Sequence, residues 1–281
     1  MKTFCIVIPI YKSEPDFIEE VSLRRLNTVI KNSNYNVYFV TYPELDISKY
    51  YEFVNDLEVS PIFFDKRFFE SKHTYSQLCI NYDFYNTFSD YEYMYIYQTD
   101  CYLNNDKLLD FCKLGYDYIG APIMSTDCGW PTLTKNDKGE EKYMPIIGNG
   151  GFSLRKIETF KDITNPNGEF RKTYNLTDDI LNNVLWEDMY FCVTIKQYYN
   201  FNIAPLSVGN KFAWDMSVDL LYGIFKIKTF PMCIHAWDKN IRFWNLHIPE
   251  LIENKEITEY CENKYKEFFK LYYDENNSTL R

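Results

Sequence analysis

Positive charge is scarce in this 281-residue chain, where 30 Lys and Arg stand against 40 Asp and Glu to give a net charge of -10. Proteins that hold nucleic acids need excess Lys and Arg against the phosphate backbone, so the composition argues against a nucleic-acid partner. Long apolar runs are also missing, since none approaches the roughly 20 residues that a membrane span requires. Met1 leads straight into an apolar strand rather than into a signal peptide. We therefore expect no transmembrane segment, and peripheral contact with a membrane stays open.

Cysteine pairs that bind metals are missing as well. The eight cysteines show no CxxC pair and no zinc-ligand spacing, and Cys5 and Cys192 lie inside apolar runs, where free Cys behaves as a small buried hydrophobe. This usage is typical of reduced thiols, so we expect a cytoplasmic protein. Histidine is rare too, and the chain has three: His73, His235 and His247.

Apolar and aromatic residues, by contrast, make up 46% and 19% of the chain, enough for a large core. The apolar runs predict strands at 4–10, 36–42, 60–64 and 93–97, and helical spacing predicts helices at 17–31 and 74–88, the first capped by Asp16. Strands that alternate with helices are typical of a parallel α/β sheet. Polar residues follow each of these strands, so polar groups are expected at one edge of that sheet.

The second half of the sequence gives shorter signals. We predict helices at 106–114 and 178–199, the latter interrupted near 186–188, and strands at 116–120, 152–155, 201–204, 207–212 and 231–237. Residues 125–144 lack periodicity, which indicates a surface loop or lid. From residue 249 the chain reads as helical, with an apolar stripe expected to dock on the rest: Tyr260, Tyr265, Phe268, Phe269 and Tyr272.

A carboxylate follows the apolar run 93–97, in the sequence Gln98-Thr99-Asp100. The carboxyl ends of strands in an open α/β sheet border the ligand crevice, so Asp100 is placed where a phosphate or its metal ion would lie. Mg²⁺ and Mn²⁺ share oxygen ligands with substrate phosphates, which makes one or two protein acids sufficient. The alternative is that Asp100 only caps the next turn, and the tripeptide alone leaves both interpretations open.

Two further segments stand out for their polar or glycine content. Gly148, Gly150 and Gly151 leave the backbone of the GNGG segment bare, which permits close approach to a ligand or simply a bulge before the strand 152–155. Glu187 and Asp188 stand at the expected start of a helix, where an acid commonly serves as a helix cap.

Taken in order, five segments resemble those of GT-A-type glycosyltransferases: VIPIY at 7–11, QTD at 98–100, GNGGFSLR at 148–155, WED at 186–188 and HAW at 235–237. The resemblance covers most of residues 4–245 and is strongest to a little-characterised bacterial and viral family with similar QTD, GNGG and HAW stretches. It implies the Rossmann-like α/β fold of nucleotide-diphospho-sugar transferases, called GT-A, with a mixed, mainly parallel sheet flanked by helices.

The resemblance also implies a metal site. In GT-A enzymes an Asp-X-Asp motif holds a divalent metal on the pyrophosphate of the donor, and its second acid matches Asp100, whereas Gln98 replaces the first acid. A late histidine that completes the coordination in several GT-A families resembles His235. The expected cofactor is therefore Mn²⁺ or Mg²⁺ held by Asp100 and His235, with less charge than a full motif because glutamine is neutral.

Substrate contacts follow from the same resemblance. The donor is expected to be a nucleotide sugar, with UDP as the favoured nucleotide, and the expected contacts are Pro9, Tyr11, Thr41, Glu44, Asp65, Lys66, Gln98 and Asp100. The segment Gly148, Asn149, Gly150 and Gly151, together with Trp237, is expected at the donor and acceptor sugars, with Asn149 on a sugar hydroxyl. Lys66 or Arg67 would help to stabilise the leaving diphosphate.

Glu187 and Asp188 resemble the acidic pair of inverting GT-A enzymes, in which one carboxylate takes the proton from the acceptor hydroxyl. Motif position favours Asp188. The implied function is transfer of a monosaccharide from a nucleotide-diphosphate sugar to a saccharide or glycoconjugate acceptor, with inversion, in surface polysaccharide or glycoconjugate synthesis.

The expected organisation is a GT-A domain over 1–248, with a nucleotide-binding half (1–122) and an acceptor half (123–248), followed by a helical extension (249–281). Two other classes share such a fold. One is a non-catalytic carbohydrate-binding or structural protein, because fold does not fix function. The other is a sugar nucleotidyltransferase, but those enzymes begin with a glycine-rich loop, and the segment IPIYKSEPDF here contains no glycine.

Overall fold

The mixed α/β architecture expected from the sequence is present in the computed structural model, which describes residues 1–123, 133–135, 141–143, 146–215, 218–225, 230–252 and 254–266. The strands are β1 Lys2–Pro9, β2 Asn36–Thr41, β3 Val59–Phe63, β4 Tyr91–Tyr97, β5 Cys101–Leu103, β6 Tyr118–Gly120, β7 Pro122–Ile123, β8 Leu133–Lys135, β9 Glu141–Tyr143, β10 Ile146–Ile147, β11 Phe152–Lys156, β12 Ala213–Trp214 and β13 Cys233–His235.

Helices flank the sheet on both faces. They are α1 Phe17–Ile30, α2 Ser48–Tyr51, α3 Lys72–Cys79, α4 Tyr82–Thr87, α5 Leu108–Cys112, α6 Ile157–Thr164, α7 Glu169–Thr173, α8 Asp178–Asn182, α9 Glu187–Met189, α10 Leu206–Phe212, α11 Val218–Phe225, α12 Ile241–Trp244, α13 Pro249–Ile252 and α14 Lys255–Lys264. Short 3₁₀ turns cover Lys66–Phe69, Ile195–Gln197 and Trp237–Asn240, and a π turn covers Tyr190–Thr194.

The central sheet has six strands in the order β3-β2-β1-β4-β11-β6. The strands β1 to β4 run parallel to one another, and β11 runs antiparallel to both of its neighbours, β4 and β6. Strand β4 lies at the centre and shows why the apolar runs are continuous. Tyr95 and Tyr97 pack in the core on one face, whereas Met94 and Ile96 pack in the core on the other. A strand that is buried on both faces has a continuous apolar sequence, because neither face needs polar residues.

The start of α1 is fixed by a capping box. Asp16 accepts hydrogen bonds from the backbone N–H groups of Ile18 and Glu19, and Glu19 accepts one from Asp16 in return. The buried Glu19 carboxylate also accepts from the hydroxyl of Thr99 at 2.8 Å and pairs with Lys12 at 2.8 Å. The helix start is thereby joined to the turn that follows β4.

A second, three-stranded sheet in the order β12-β13-β5 positions the late histidine. Strand β13 pairs antiparallel with β5, and the register sets His235 opposite Cys101, the residue after Asp100. Strand β12 pairs parallel with the other edge of β13, with Trp214 opposite Ile234. Three segments that are far apart in the chain therefore meet at His235.

Several predicted elements differ from the structure. The helix expected at 74–88 is two helices, α3 and α4, because the Asn81 side chain caps a new start by accepting from the N–H of Asp83. The strand expected at 207–212 is wrong: α10 begins after Pro205, and Phe212 is buried on it. The expected strand 201–204 makes one isolated bridge, from Ile203 to Tyr118.

The remaining expectations fall partly outside the described residues. Within the expected loop 125–144, the described residues form the antiparallel pair β8 and β9, and the rest lies outside them. Helix α14 packs through Ile257 and Cys261 against the core, and Tyr260 contacts the ring of Phe17 at 5.2 Å. The stripe residues Phe268, Phe269 and Tyr272 lie outside the described part of the chain.

No helix in the described ranges is both long and apolar enough to span a bilayer. The described cysteines are free and buried: Cys5, Cys79, Cys101, Cys112, Cys192, Cys233 and Cys261. Burial raises the pKa of the Cys5 and Cys192 thiols well above the usual value, so these thiols stay protonated and serve as core residues.

Candidate active site

The turn after β4 lies beside the glycine-rich segment. Strand β11 is the antiparallel neighbour of β4, with Phe152 opposite Tyr97, and the pairing continues as Gln98 donates its N–H to the carbonyl of Gly151 at 2.9 Å. Cys101 then donates to the carbonyl of Gln98 at 3.0 Å and closes a turn that carries Asp100 at its corner. The QTD and GNGG segments are therefore adjacent in space.

His235 lies between two carboxylates. Its Nε2 is 3.2 Å from Oδ1 of Asp100 and 3.1 Å from Oε1 of Gln98, while its Nδ1 is 3.0 Å from Oδ1 of Asp215. Burial opposes the charge on the imidazole, but the two carboxylates outweigh it and raise the pKa of His235 well above its usual value. Burial likewise opposes ionisation of Asp100, and His235 outweighs it, so the pKa of Asp100 falls to about 2.

The glycines are explained by close approach of side chains. A Cβ on Gly151 would overlap the imidazole of His235, and a Cβ on Gly150 would overlap the carboxylate of Glu187. Positive φ is not the reason, because Gly115 is the glycine with a positive φ among the described residues. Gly150 and Gly151 thus leave room for the side chains of Glu187 and His235 to approach the backbone.

Asn149 uses its side chain within the protein. Its Nδ2 donates to Oδ2 of Asp215 at 2.9 Å, and its Oδ1 accepts the N–H of Gly151 at 3.0 Å. The side chain is buried, so the structure favours a structural role over the expected contact with a sugar hydroxyl. Gly148 lies behind it, and its carbonyl accepts from the hydroxyl of Tyr118.

The two acids at the start of α9 have different surroundings. Glu187 is 7% exposed, pairs with Arg155 at 2.9 Å and accepts from the hydroxyl of Ser76 at 3.2 Å. Asp188 is partly exposed, and its Oδ2 accepts the N–H of Gly150 at 3.2 Å. Glu187 is therefore committed to a buried ion pair, whereas Asp188 has no cation as a partner in these contacts.

Burial and the neighbouring charge of Glu187 raise the pKa of Asp188 to about 7. Hydrogen bonds from Met189 and Gly150 oppose that shift. A carboxylate with a pKa near neutrality is a stronger base than an ordinary aspartate and is still ionised at slightly alkaline pH. Since perturbed pKa values cluster at functional sites, this favours Asp188 over Glu187 as the reactive acid.

A cavity of about 440 Å³ is lined in part by Asp100. Four of the expected donor contacts line it: Pro9, Tyr11, Gln98 and Asp100. The sequence interpretation missed other lining residues, notably Glu19, Lys72, Asp238, Lys264 and Tyr265. Glu19 had a signal in its capping box with Asp16, but Lys264 and Tyr265 come from the far end of the chain, which no local pattern links to the cavity.

Four expected donor contacts do not line this cavity. Thr41 is fully buried at the end of β2, and Glu44 is exposed in the loop that follows. Asp65 caps a 3₁₀ turn by accepting the N–H of Arg67, and Lys66 is exposed, 5.5 Å from the centre of the Tyr42 ring. Their placement rested on position in the chain, whereas the residues after β3 that line the cavity come later, at Phe69, Glu70, Ser71 and Lys72.

The structure does not place Trp237 at the sugar-binding surface that the resemblance implied. It is fully buried, and its Nε1 donates to the hydroxyl of Ser22 at 2.9 Å. Its ring packs at 5.6 Å from Tyr102, in a core with Trp214 and Trp244. Neither ring face is available to a sugar, so Trp237 holds the α1 helix to the segment after His235.

The donor atoms around His235 fit a divalent metal. A carboxylate oxygen, an amide oxygen and an imidazole nitrogen converge, and such oxygen and nitrogen donors suit Mn²⁺ and, with less preference for nitrogen, Mg²⁺. Gly151 adds no side chain on the Nε2 side of the imidazole, where a Cβ would overlap Nε2. Among the described residues no three His, Cys, Asp or Glu side chains form a complete metal cage. Water molecules or phosphate oxygens of a substrate would therefore complete the coordination.

The sheet order, the antiparallel β11 and the site at the strand ends define the GT-A fold of glycosyltransferases. Residues 58–235 match a family described as protein of unknown function (DUF5672). Since that segment is more than half of the chain, the protein belongs to the DUF5672 family. The matched segment contains Asp100, Gly151, Asp188 and His235. No curated protein sequence matches the chain.

One solved structure supports the fold assignment, and two others show weaker similarity. Apo mouse xyloside xylosyltransferase 1 superposes with a TM-score of 0.53 at 11% identity, covering 83% of this chain and 97% of that one. Core-mannan synthase A from Aspergillus fumigatus, in an Mn/GDP form, gives a TM-score of 0.47 at 9% identity and covers 69% and 70%. GlyE from Streptococcus pneumoniae gives 0.45 at 14% identity and covers 84% and 54%. The similarity to the mouse enzyme, at 11% identity, shows a shared fold.

Proposed function

We propose that this protein is a glycosyltransferase that moves a monosaccharide from a nucleotide-diphosphate sugar to a saccharide or glycoconjugate acceptor. One observation carries the proposal. The dipeptide Gly150-Gly151 lies beside Asp188 through its first residue and beside His235 through its second. The Asp188 carboxylate and the pair of Asp100 and His235 therefore lie next to one short backbone segment.

Asp188 has the role of general base in this proposal. Its carboxylate takes the proton from the acceptor hydroxyl while the acceptor oxygen forms a bond to the anomeric carbon. The bond from that carbon to the diphosphate oxygen breaks, and the electron pair leaves with the nucleoside diphosphate. A single displacement of this kind inverts the anomeric configuration, and a base with a pKa of about 7 suits it at neutral pH.

Asp100, His235 and Gln98 would hold Mn²⁺ or Mg²⁺, which when bound stabilises negative charge on the leaving diphosphate. The cavity beside Asp100 has the size and position for the nucleotide. Most charged residues on its wall are acidic, and Lys72 and Lys264 supply the positive charge there. A dianionic ligand in such a cavity requires a cation, which supports metal dependence.

The donor nucleotide, the acceptor class and the cellular setting are part of the same proposal. We favour UDP as the nucleotide, a saccharide acceptor, and a cytoplasmic role in surface polysaccharide or glycoconjugate assembly. The mouse structure with the same fold is named for xylosyl transfer to a xyloside, which supports a sugar as acceptor. The closer resemblance to bacterial and viral proteins with QTD, GNGG and HAW stretches stays a prediction.

A donor screen tests the proposal. The purified protein is incubated with UDP, GDP, dTDP and CMP sugars, with and without Mn²⁺, and release of free nucleotide is measured. We expect one nucleotide class to be released, faster with Mn²⁺ and faster again with an acceptor sugar. Sugar binding without release from any donor would identify a non-catalytic carbohydrate-binding protein. Pyrophosphate release from a nucleoside triphosphate and a sugar phosphate would identify a nucleotidyltransferase.

A further inference from the structure

Asp215 belongs to none of the motifs that the sequence resemblance supplies, yet both of its carboxylate oxygens are engaged at the site. Oδ1 is 3.0 Å from Nδ1 of His235, and Oδ2 accepts from Nδ2 of Asn149 at 2.9 Å. Its side chain is 14% exposed. It follows β12 directly, and the pairing of β12 with β13 sets it beside His235.

These contacts close a circuit of hydrogen bonds. From Asp215 the path runs to Asn149, whose Oδ1 accepts the N–H of Gly151 at 3.0 Å. The carbonyl of Gly151 accepts the N–H of Gln98 at 2.9 Å, and Oε1 of Gln98 lies 3.1 Å from Nε2 of His235. The contact between Nδ1 of His235 and Oδ1 of Asp215 closes the circuit. Each member of the circuit is thus held in place by two others.

The circuit determines which nitrogen of the His235 imidazole carries a hydrogen toward Asp215. A carboxylate can only accept, so Nδ1 of His235 must carry a hydrogen that it donates to Asp215. Nε2 then faces Oδ1 of Asp100 and Oε1 of Gln98, which are both acceptors. Three electron-pair donors that face one another need a positive centre between them. A proton on Nε2 meets that need, and so does a divalent cation.

We propose that Asp215 is the positioning residue of the metal site, which holds His235 with Nε2 toward Asp100 and Gln98 and, through Asn149, locks the glycine segment in the same arrangement. The inference rests on the proposed function for the identity of the metal as Mn²⁺ or Mg²⁺. Partners that fix the second nitrogen of a histidine ligand typically contribute 10-fold to 100-fold in metal affinity, an order-of-magnitude expectation.

The substitution Asp215→Asn tests this role. An asparagine offers one acceptor oxygen and one donor group in place of two acceptor oxygens, so it cannot accept from both His235 and Asn149. We expect the affinity for Mn²⁺ alone, measured by electron paramagnetic resonance without nucleotide, to fall about 10-fold to 100-fold. Asp219→Asn is the matched control, because Asp219 is exposed on α11, and it should leave the affinity unchanged.

A second measurement uses the natural protein, so its result does not depend on whether the variant folds. With ¹⁵N-labelled histidine and Cd²⁺ as a diamagnetic substitute for Mn²⁺, the resonances of the three histidines can be separated. We expect His235 to keep its hydrogen on Nδ1 and to bind the metal through Nε2. A hydrogen on Nε2 in the metal-loaded protein would overturn the assignment.

The outcomes for the inference and for the proposed function are distinct. If Mn²⁺ binds the natural protein and Asp215→Asn equally well, or does not bind the natural protein, the role of Asp215 is refuted. In that case, release of nucleotide from a sugar donor in the presence of a chelator would still support the proposed transferase function. If Asp215→Asn weakens Mn²⁺ binding but no donor is cleaved, the positioning role stands and the transferase proposal fails.

Discussion

The imidazole of His235 bridges Asp100 and Asp215, at 3.2 Å from one carboxylate and 3.0 Å from the other. The bridge is a product of strand pairing, since β13 sets His235 opposite Cys101 and beside the end of β12. One histidine therefore joins the turn after β4 to the second sheet.

Gly151→Ala should disable the site without unfolding the protein. The added Cβ would overlap the His235 imidazole, and Gly151 has ordinary backbone angles, so the histidine must move. A displacement of about 1 Å at a reacting centre costs roughly 100-fold in rate, and we expect a loss of that order in kcat/KM. Gly223→Ala is the control, because nothing lies within 4 Å of its Cβ. Equal activity of the two variants would contradict the close packing.

The pH dependence of kcat/KM should report Asp188. The carboxylate must be ionised to accept a proton, and burial raises its pKa to about 7. Activity should therefore rise with pH, about tenfold per unit below pH 7, and level off above it. The measurement is a pH series at saturating Mn²⁺. A rise centred near pH 4 would show that the base is an ordinary exposed carboxylate.

Glu187→Gln should destabilise the fold. Glu187 pairs with Arg155, whose side chain is fully buried, and removal of one partner from a buried pair costs roughly 3–5 kcal/mol. Urea denaturation should show a large loss for Glu187→Gln and for Arg155→Met, and a smaller loss for the double variant than for the sum of the two. Fully additive losses would mean that the two side chains do not act as a pair.

Asp188→Asn should have the opposite effect on stability. An acid whose pKa is raised by folding loses stability as the pH rises from its unfolded pKa toward its folded one. A neutral amide removes that loss, so the variant should melt at a higher temperature than the natural protein at pH 8 and at a similar temperature at pH 4. Equal melting temperatures at both pH values would contradict the raised pKa.

Trp237→Phe tests the structural role of the buried indole. The change removes the hydrogen bond to Ser22 and leaves a smaller ring in a closed core. We expect a loss of roughly 1–3 kcal/mol in unfolding free energy, since the Ser22 hydroxyl also loses its partner. Acceptor KM should not change. A raised KM with normal stability would restore the sugar-stacking role.

Much of the fold was predictable because its signals are local. The apolar runs from Phe4 and Tyr93 are buried on both faces, and Asp16 caps α1 as its spacing with Glu19 indicates. Elements of the second half were less predictable. The 207–212 segment has Val208 and Phe212 at helical spacing, but its apolar content is equally compatible with a strand, and tertiary packing decided the outcome.

The site was predictable only where a motif marks it. Asp100, Asp188 and His235 stand in segments with a recognisable pattern, and the structure brings them to the two glycines. Asp215 has no such pattern, because its role depends on the pairing of β12 with β13. Lys264 reaches the cavity wall because α14 folds back over α1, where its ammonium lies 3.4 Å from Asp16. Such contacts between distant segments have no local signal.

Comparison of Asp188→Asn with the natural protein in one transfer assay is the most direct test of the central claim. Donor binding is measured by titration, and both nucleotide release and the glycosylated product are followed with an acceptor present. The account predicts that the variant binds the donor with unchanged affinity, folds normally, and loses transfer by at least about 100-fold. Transfer by Asp188→Asn at the natural rate would show that another group activates the acceptor and would contradict the account.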